Sequence, residues 1–178
     1  ITKEPTNTET GIKTYTCKEC GTTKTEKIDV LKYSINGIIT SFLNENEDIT
    51  IQLIEKEKKE PSYEKIVTGN IVKYSIEDVL AGTYKLKILK ANHITREYEI
   101  IVNNSNVTQD VKICLIGDAN GDGRVNNKDW NRLYNHINET NMLIGYELLC
   151  ADINKDGKVN NKDWTRLYNH INEINPIW

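Results

Sequence analysis

The chain has 178 residues, a net charge of −3, and 38% hydrophobic against 28% charged residues. That length allows one large domain or two small ones plus a segment, and a unit of roughly 60 residues is marginal without a metal or crosslink. The mild charge, with no Lys/Arg cluster interleaved with aromatics, argues against a nucleic-acid groove, and no apolar run approaches the roughly 18–20 residues of a membrane span.

No secretory signal is present, and the opening Ile1-Thr2-Lys3 reads as the interior of a longer protein. Residues 1–32 form a polar, Thr- and Lys-rich segment expected to be a β-hairpin or linker. Cys17 and Cys20 form a C-x-x-C closed by Gly21, half of a zinc-ribbon pattern. A structural zinc needs four ligands, so a local disulfide or free thiols are the alternatives. The stretch around them resembles a short Cys-containing repeat of bacterial surface proteins, in which a further Cys stands where this chain has Asn7.

Residues 33–116 alternate with period two. Ile49, Ile51 and Leu53 alternate with Thr50 and Gln52, and Tyr84, Leu86 and Ile88 with Lys85 and Lys87. Tyr98, Ile100 and Val102, then Val111, Ile113 and Leu115, continue the pattern. Such alternation means strands with one buried and one wet face. Turns are expected at Ile35-Asn36-Gly37, Asn44–Asp48, Gly69-Asn70, Ala81-Gly82-Thr83 and Asn103–Asn106. Roughly six or seven short strands at this spacing suggest an antiparallel sandwich. No catalytic constellation appears in it. His93 reads as a solvated turn residue and the run Glu55–Glu60 as a solvated strand end. The stretches SINGIIT and VLAGTYKLKILKANHITREYEIIV resemble the carboxypeptidase-regulatory-like sandwich, which implies an Ig-like or transthyretin-like fold.

Residues 117–178 carry a duplication. Asp118–Glu139 and Asp152–Glu173 lie 34 residues apart and agree at 18 of 22 positions. Each begins D-x-N-x-D-G-x-x-N-x-x-D. Loop one offers Asp118, Asn120, Asp122, the carbonyl of Arg124, Asn126 and Asp129; loop two offers Asp152, Asn154, Asp156, the carbonyl of Lys158, Asn160 and Asp163. Gly123 and Gly157 permit the sharp turn at position 6. Calcium takes six to eight oxygens, and this spacing wraps oxygens around one point. The expectation is two calcium ions, which neutralise the converging carboxylates and drive folding. Loop one follows a strand-like segment rather than a helix, so a structural role is expected rather than that of a sensor.

Helices are expected from about Lys128 and Lys162. Trp130, Leu133, Tyr134 and Ile137 share one face, as do Trp164, Leu167, Tyr168 and Ile171. Leu and Ile belong to the core. Trp130, Tyr134, Trp164 and Tyr168 are candidate interface anchors. His136 and His170 read as passengers of the duplication, Met142–Leu149 as a helical connector, and Ile177 and Trp178 as a clasp packing near Ile116. Cys114 and Cys150 are either a disulfide or two buried thiols.

Residues 117–178 resemble a type I-like dockerin: two calcium loop–helix (F-hand) repeats in a small all-α module. The resemblance implies binding to a cohesin module of a scaffoldin or cell-surface protein, within an extracellular, cellulosome-type, polysaccharide-degrading complex. It also implies recognition through Asn127, Lys128, Tyr134, Asn135 and Glu139, and through Asn161, Lys162, Tyr168, Asn169 and Glu173. Many dockerins carry Ser/Thr-like pairs where this chain has Asn-Lys, which implies a different cohesin. The preceding sandwich makes the pair similar to an X-module–dockerin. The leading expectation is therefore a non-catalytic, calcium-dependent adaptor that offers one recognition surface twice. The alternative is a calcium-stabilised carbohydrate-binding or adhesion module.

Overall fold

The apolar alternation becomes two four-stranded sheets in the computed structural model, which describes residues 1–178. Ahead of them, β1 (Gly11–Thr16) and β2 (Thr23–Ile28) pair as a separate hairpin with the C-x-x-C at its turn. This hairpin has almost no buried face, as a polar sequence dictates. Asn7 ties the N-terminal segment to the sandwich. Its amide donates to Asn104 Oδ1, and its own Oδ1 accepts from the Tyr33 hydroxyl.

One sheet is antiparallel throughout, ordered β5 (Tyr63–Thr68), β4 (Asp48–Glu55), β7 (Gly82–Lys90), β8 (Arg96–Val102). Its register puts Ile51 opposite Ile88 and Tyr84 opposite Ile100, so the alternating apolar residues share one face. The other sheet is mixed. β3 (Tyr33–Thr40) pairs antiparallel with β6 (Ile71–Val79) on one side. On its other side, β9 (Val107–Thr108) and β10 (Val111–Lys112) run parallel to it. The two sheets close on a shared core of 15 buried residues, among them Ile35, Ile39 and Ile76 from one and Ile51, Leu86 and Ile88 from the other.

Two expectations are corrected here. The sandwich is not purely antiparallel, because the chain returns along β3 in two very short parallel pieces. Ile35-Asn36-Gly37 is not a turn; β3 runs straight through it. Gly37 serves a close approach instead, since a Cβ there would lie 2.1 Å from the Gln109 carbonyl oxygen, where the β9–β10 segment crosses. The Tyr74 hydroxyl donates to that same carbonyl at 2.7 Å and fixes the crossing.

The C-terminal unit holds α1 (Asn127–Ile137), α2 (Tyr146–Ala151) and α3 (Asn161–Ile171). Its core is small: Ala119, Leu133, Leu143, Ala151, Ile153 and Leu167. Ile177 packs against this core, with its Cδ1 3.0 Å from where a Cβ on Gly117 would stand, and the Trp178 ring meets His170 edge-on. The two repeat histidines have a structural task that the sequence did not suggest. His136 Nδ1 accepts the Leu143 backbone N–H at 3.1 Å, and His170 Nδ1 accepts that of Ile177 at 3.4 Å. Each holds the chain that leaves its helix so that an apolar residue enters the core.

Candidate metal loops and partner-binding face

The two acidic loops have the same internal wiring. In loop one, Asp118 accepts the backbone N–H groups of Asp122 and Gly123, both at 3.0 Å. Asn120 Oδ1 accepts Asp122 N at 2.8 Å and Asp122 Oδ1 accepts Arg124 N at 3.1 Å. Asp129 reaches back from the first turn of α1 to Asn120 N (3.1 Å) and Asn126 N (2.9 Å). Loop two repeats every one of these bonds through Asp152, Asn154, Asp156 and Asp163. Backbone donors thus hold the Asp and Asn side chains of each loop in place. The helices begin where the loops end: Asn126 and Asn160 cap α1 and α3 by accepting Lys128 N and Lys162 N. At this position a capping role is therefore added to the expected ligand role.

These loops carry buried negative charge with no buried cation beside it. Asp129 and Asp163 are 0% exposed and Asp118 is 1% exposed. The ion pair in loop one is an exposed Lys128–Asp122 contact at 3.5 Å. Burial, reinforced by the neighbouring Asp118 and Asp122 charges, pushes the Asp129 carboxyl up to about 6, against the pull of its hydrogen bonds to Asn126 and Asn120. An uncompensated buried carboxylate is costly, and a donor set made only of carboxylate, amide and carbonyl oxygens suits a hard divalent cation. Asp, Glu, His and Cys alone do not form a cage of three in either loop. A complete shell would have to draw on Asn120, Asn154 and the carbonyls of Arg124 and Lys158.

Four of the candidate partner residues, Trp130, Tyr134, Trp164 and Tyr168, come together between α1 and α3. Trp130 and Trp164 stack at 4.6 Å and 23°. Tyr168 lies 6.2 Å from Trp130 and Tyr134 lies 6.3 Å from Trp164. Near-equal cross distances mean that exchanging the repeats maps the cluster onto itself. The result is one aromatic strip, Tyr134–Trp164–Trp130–Tyr168, with the tryptophans half-buried in the middle and the tyrosines 51% and 46% exposed at its ends. Both indole Nε1 atoms are buried without a partner. Asn127, Lys128, Asn161 and Lys162 stand exposed on the first turns of the helices. Glu139 and Glu173 are exposed past the helix ends with φ of 57° and 58°; Asn135 and Asn169 are half-buried, their carbonyls accepting N–H groups of the departing chain.

Several residues that set up this region escape sequence reading. His93 is buried, not solvated: Nδ1 meets the Ala91 carbonyl at 2.6 Å, and Nε2 accepts Phe42 N at 3.1 Å. Lys90 is buried too, with Nζ on Ser41 Oγ, the Phe42 carbonyl and Asn70 Oδ1. Tyr146 bridges the two units: its hydroxyl donates to the Ile94 carbonyl and accepts Cys114 N, while the Arg96 guanidinium sits 3.9 Å from its ring centre. The one available signal was that Phe42 is the only phenylalanine in the chain. All four cysteines are free thiols, Cys114 and Cys150 buried, Cys17 and Cys20 exposed. Hydrogen bonds from Thr22, and then from Cys17, lower the Cys20 thiol to about 7.

No curated protein matches the chain. Among solved structures, it is similar to a C-terminal interface mutant of a type II cohesin–X–dockerin complex from Acetivibrio cellulolyticus. That match has 22% identity over 78% of this chain and 94% of the other, with a TM-score of 0.36. An N-terminal interface mutant of that complex matches at 21% identity over the same shares, again with a TM-score of 0.36. A putative carbohydrate binding protein from Bacteroides uniformis matches at 19% identity over 47% of this chain and 42% of its own, with a TM-score of 0.32. At these TM-scores the likenesses carry no functional argument. Residues 116–172, the stretch that holds both loop–helix repeats, match the family model of the dockerin type I domain.

Proposed function

We propose that this chain is a non-catalytic adaptor whose C-terminal unit binds a cohesin module in a calcium-dependent way. In that role it plugs its protein into an extracellular, cellulosome-type complex that degrades polysaccharide. The observation that carries the proposal is the exchange-symmetric aromatic strip. It is flanked by identical exposed residues from two loop–helix repeats inside the stretch matched as a dockerin type I domain. Two calcium ions, one per loop, compensate the buried carboxylates and fix the first turns of α1 and α3. Those turns present Asn127-Lys128 and Asn161-Lys162. The tyrosine ends of the strip supply apolar contact, and the half-buried, stacked tryptophans at its middle hold the two helices together. The sandwich is the supporting X-type module.

Because the recognition residues repeat, a cohesin can engage in either of two orientations related by half a turn. Titration of a cohesin panel, with calcium and with chelator, tests the reading; it stands if some cohesin binds only with calcium. For the orientations, changing Asn127, Lys128 and Tyr134 together should weaken binding only a few-fold, as should the matching triple change at Asn161, Lys162 and Tyr168. Changing both sets should abolish it. Loss of binding on changing one set alone rules out dual orientation.

A further inference from the structure

The repeats are nearly identical in sequence but not in surroundings. Loop one rests on the sandwich. A Cβ at Gly123 would lie 2.3 Å from two carbons of the Phe42 ring, whereas nothing lies within 4 Å of the equivalent position at Gly157. At the loop's fourth position, Lys112 Nζ donates to the Gly121 carbonyl. A side chain at Gly121 would grow toward Cys114 Sγ and Lys112 Nζ, at 3.7 and 3.9 Å. Loop two has Lys155 there, at φ 59°. So one of the four differences between the repeats, Gly121 against Lys155, lies on this seam.

Phe42 is itself held firmly. Its backbone N–H donates to His93 Nε2 and its carbonyl accepts Lys90 Nζ, both from buried residues. The ring also lies beneath Lys112 Nζ, 5.6 Å from the centroid. A rigid wedge of the sandwich therefore braces the sharp turn of loop one, and loop two has no counterpart. The charges near the loops do not cancel this difference. Lys112 adds a cation beside loop one, and Lys155 adds one within loop two.

We infer that the two loops bind calcium unequally, loop one first and more tightly, because the Phe42 wedge pre-forms it, and that the first site is thereby coupled to the sandwich while the second is not. Pre-forming a site removes ordering cost at the moment of binding, and coupling is reciprocal: calcium in loop one must firm up the Ser41–Leu43 turn as much as that turn favours calcium. The inference rests on the calcium reading above. Phe42 acts as a positioning residue and touches no ligand atom.

Calorimetric titration of the metal-stripped full chain with calcium tests it. Two steps separated by about tenfold are expected, within the usual range of coupling between sites. Asp152→Ala should keep the tight step and Asp118→Ala the weak one. Phe42→Ala should weaken the tight step by about five- to tenfold and leave the weak step in place. Two equal steps in the unaltered chain overturn the inference while leaving the calcium reading intact. So does a Phe42→Ala chain in which neither step moves or both move alike. No calcium uptake at either loop overturns both. Hydrogen exchange covers the case in which Phe42→Ala fails to fold. In the Asp152→Ala chain, calcium should slow exchange at Ser41–Leu43, and unchanged exchange there overturns the inference.

Discussion

The sandwich and the helical unit reach a closed structure by different physics. The sandwich buries 15 residues in one cluster, all of them apolar or tyrosine, and its buried polar groups Lys90 and His93 are hydrogen-bonded. The cluster of the helical unit has six, two of them alanines, and the unit buries three aspartates as well. A core of that size is marginal, and buried carboxylates with no buried cation beside them add a cost to it. The contrast teaches that one half of this chain is closed by its own side chains, while the other, on the function proposed above, draws on a cation supplied from solution.

Chelation should expose the contrast most strongly. With calcium at about a hundred times its dissociation constant, each site contributes roughly 2.7 kcal/mol, most or all of what a unit this small can have. EDTA should therefore abolish the α-helical circular dichroism signal while the β signal and its melting transition persist. Simultaneous loss of both signals would show that the units do not differ in this way.

Core truncations should sharpen the comparison at the next level. Leu86→Ala should destabilise the sandwich by about 2–5 kcal/mol without changing the calcium dependence of the helical signal. Leu133→Ala, with a similar local penalty, should leave α1–α3 unfolded even in excess calcium while the sandwich melts normally. Denaturant titrations followed separately by the two signals would report both. Smaller still, Asn126→Ala should cost about 1 kcal/mol through loss of the α1 cap, and any loss beyond that reports its ligand role. Asn160→Ala should do the same in α3, and calcium-saturated melts would measure the pair.

The smallest effect concerns pH and is read in the sandwich. Burial, with Lys90 adding to it, holds His93 below its ordinary 6.5, against the Ala91 carbonyl and the Glu47 charge. The unfolded chain thus takes up this proton before the folded one does. The contribution is complete above pH 6.5 and is lost as pH falls below it. The urea midpoint of the sandwich should drop modestly between pH 7.5 and 5.5, and His93→Gln should flatten that dependence.

Much of this was legible in the residues. Ile49-Ile51-Leu53 and Tyr84-Leu86-Ile88 announce their strands because one face is buried, and the acid loops announce themselves through ligand-type spacing. The doubled Trp–Leu–Tyr–Ile pattern placed α1 and α3 and its aromatics, though not the stacking of Trp130 on Trp164, which depends on how two helices meet. Gly37 looked like a turn because close approach and tight turning both call for glycine. The parallel pieces β9 and β10 are two residues each, too short to leave a period. Phe42 and His93 are hydrogen-bonded to each other across 51 residues of sequence, so their joint role emerges only once the chain has folded. His136 and His170 looked redundant because their partners are backbone groups seven residues away.

The pairing of β10 with β3 has a mechanical consequence. The two run in the same direction, with Ile39 beside Val111 and Thr40 beside Lys112, and Ile113 N continues the ladder to the Thr40 carbonyl at 3.0 Å. Tension applied between the segment before Tyr33 and the helical unit would pull β3 backward and β10 forward along the same axis. Those hydrogen bonds, together with the Gln109–Asn36 bond beside β9, would be sheared together rather than unzipped one at a time. The route by which this chain would carry load from its C-terminal unit into the sandwich is thus the one that a parallel return strand resists best.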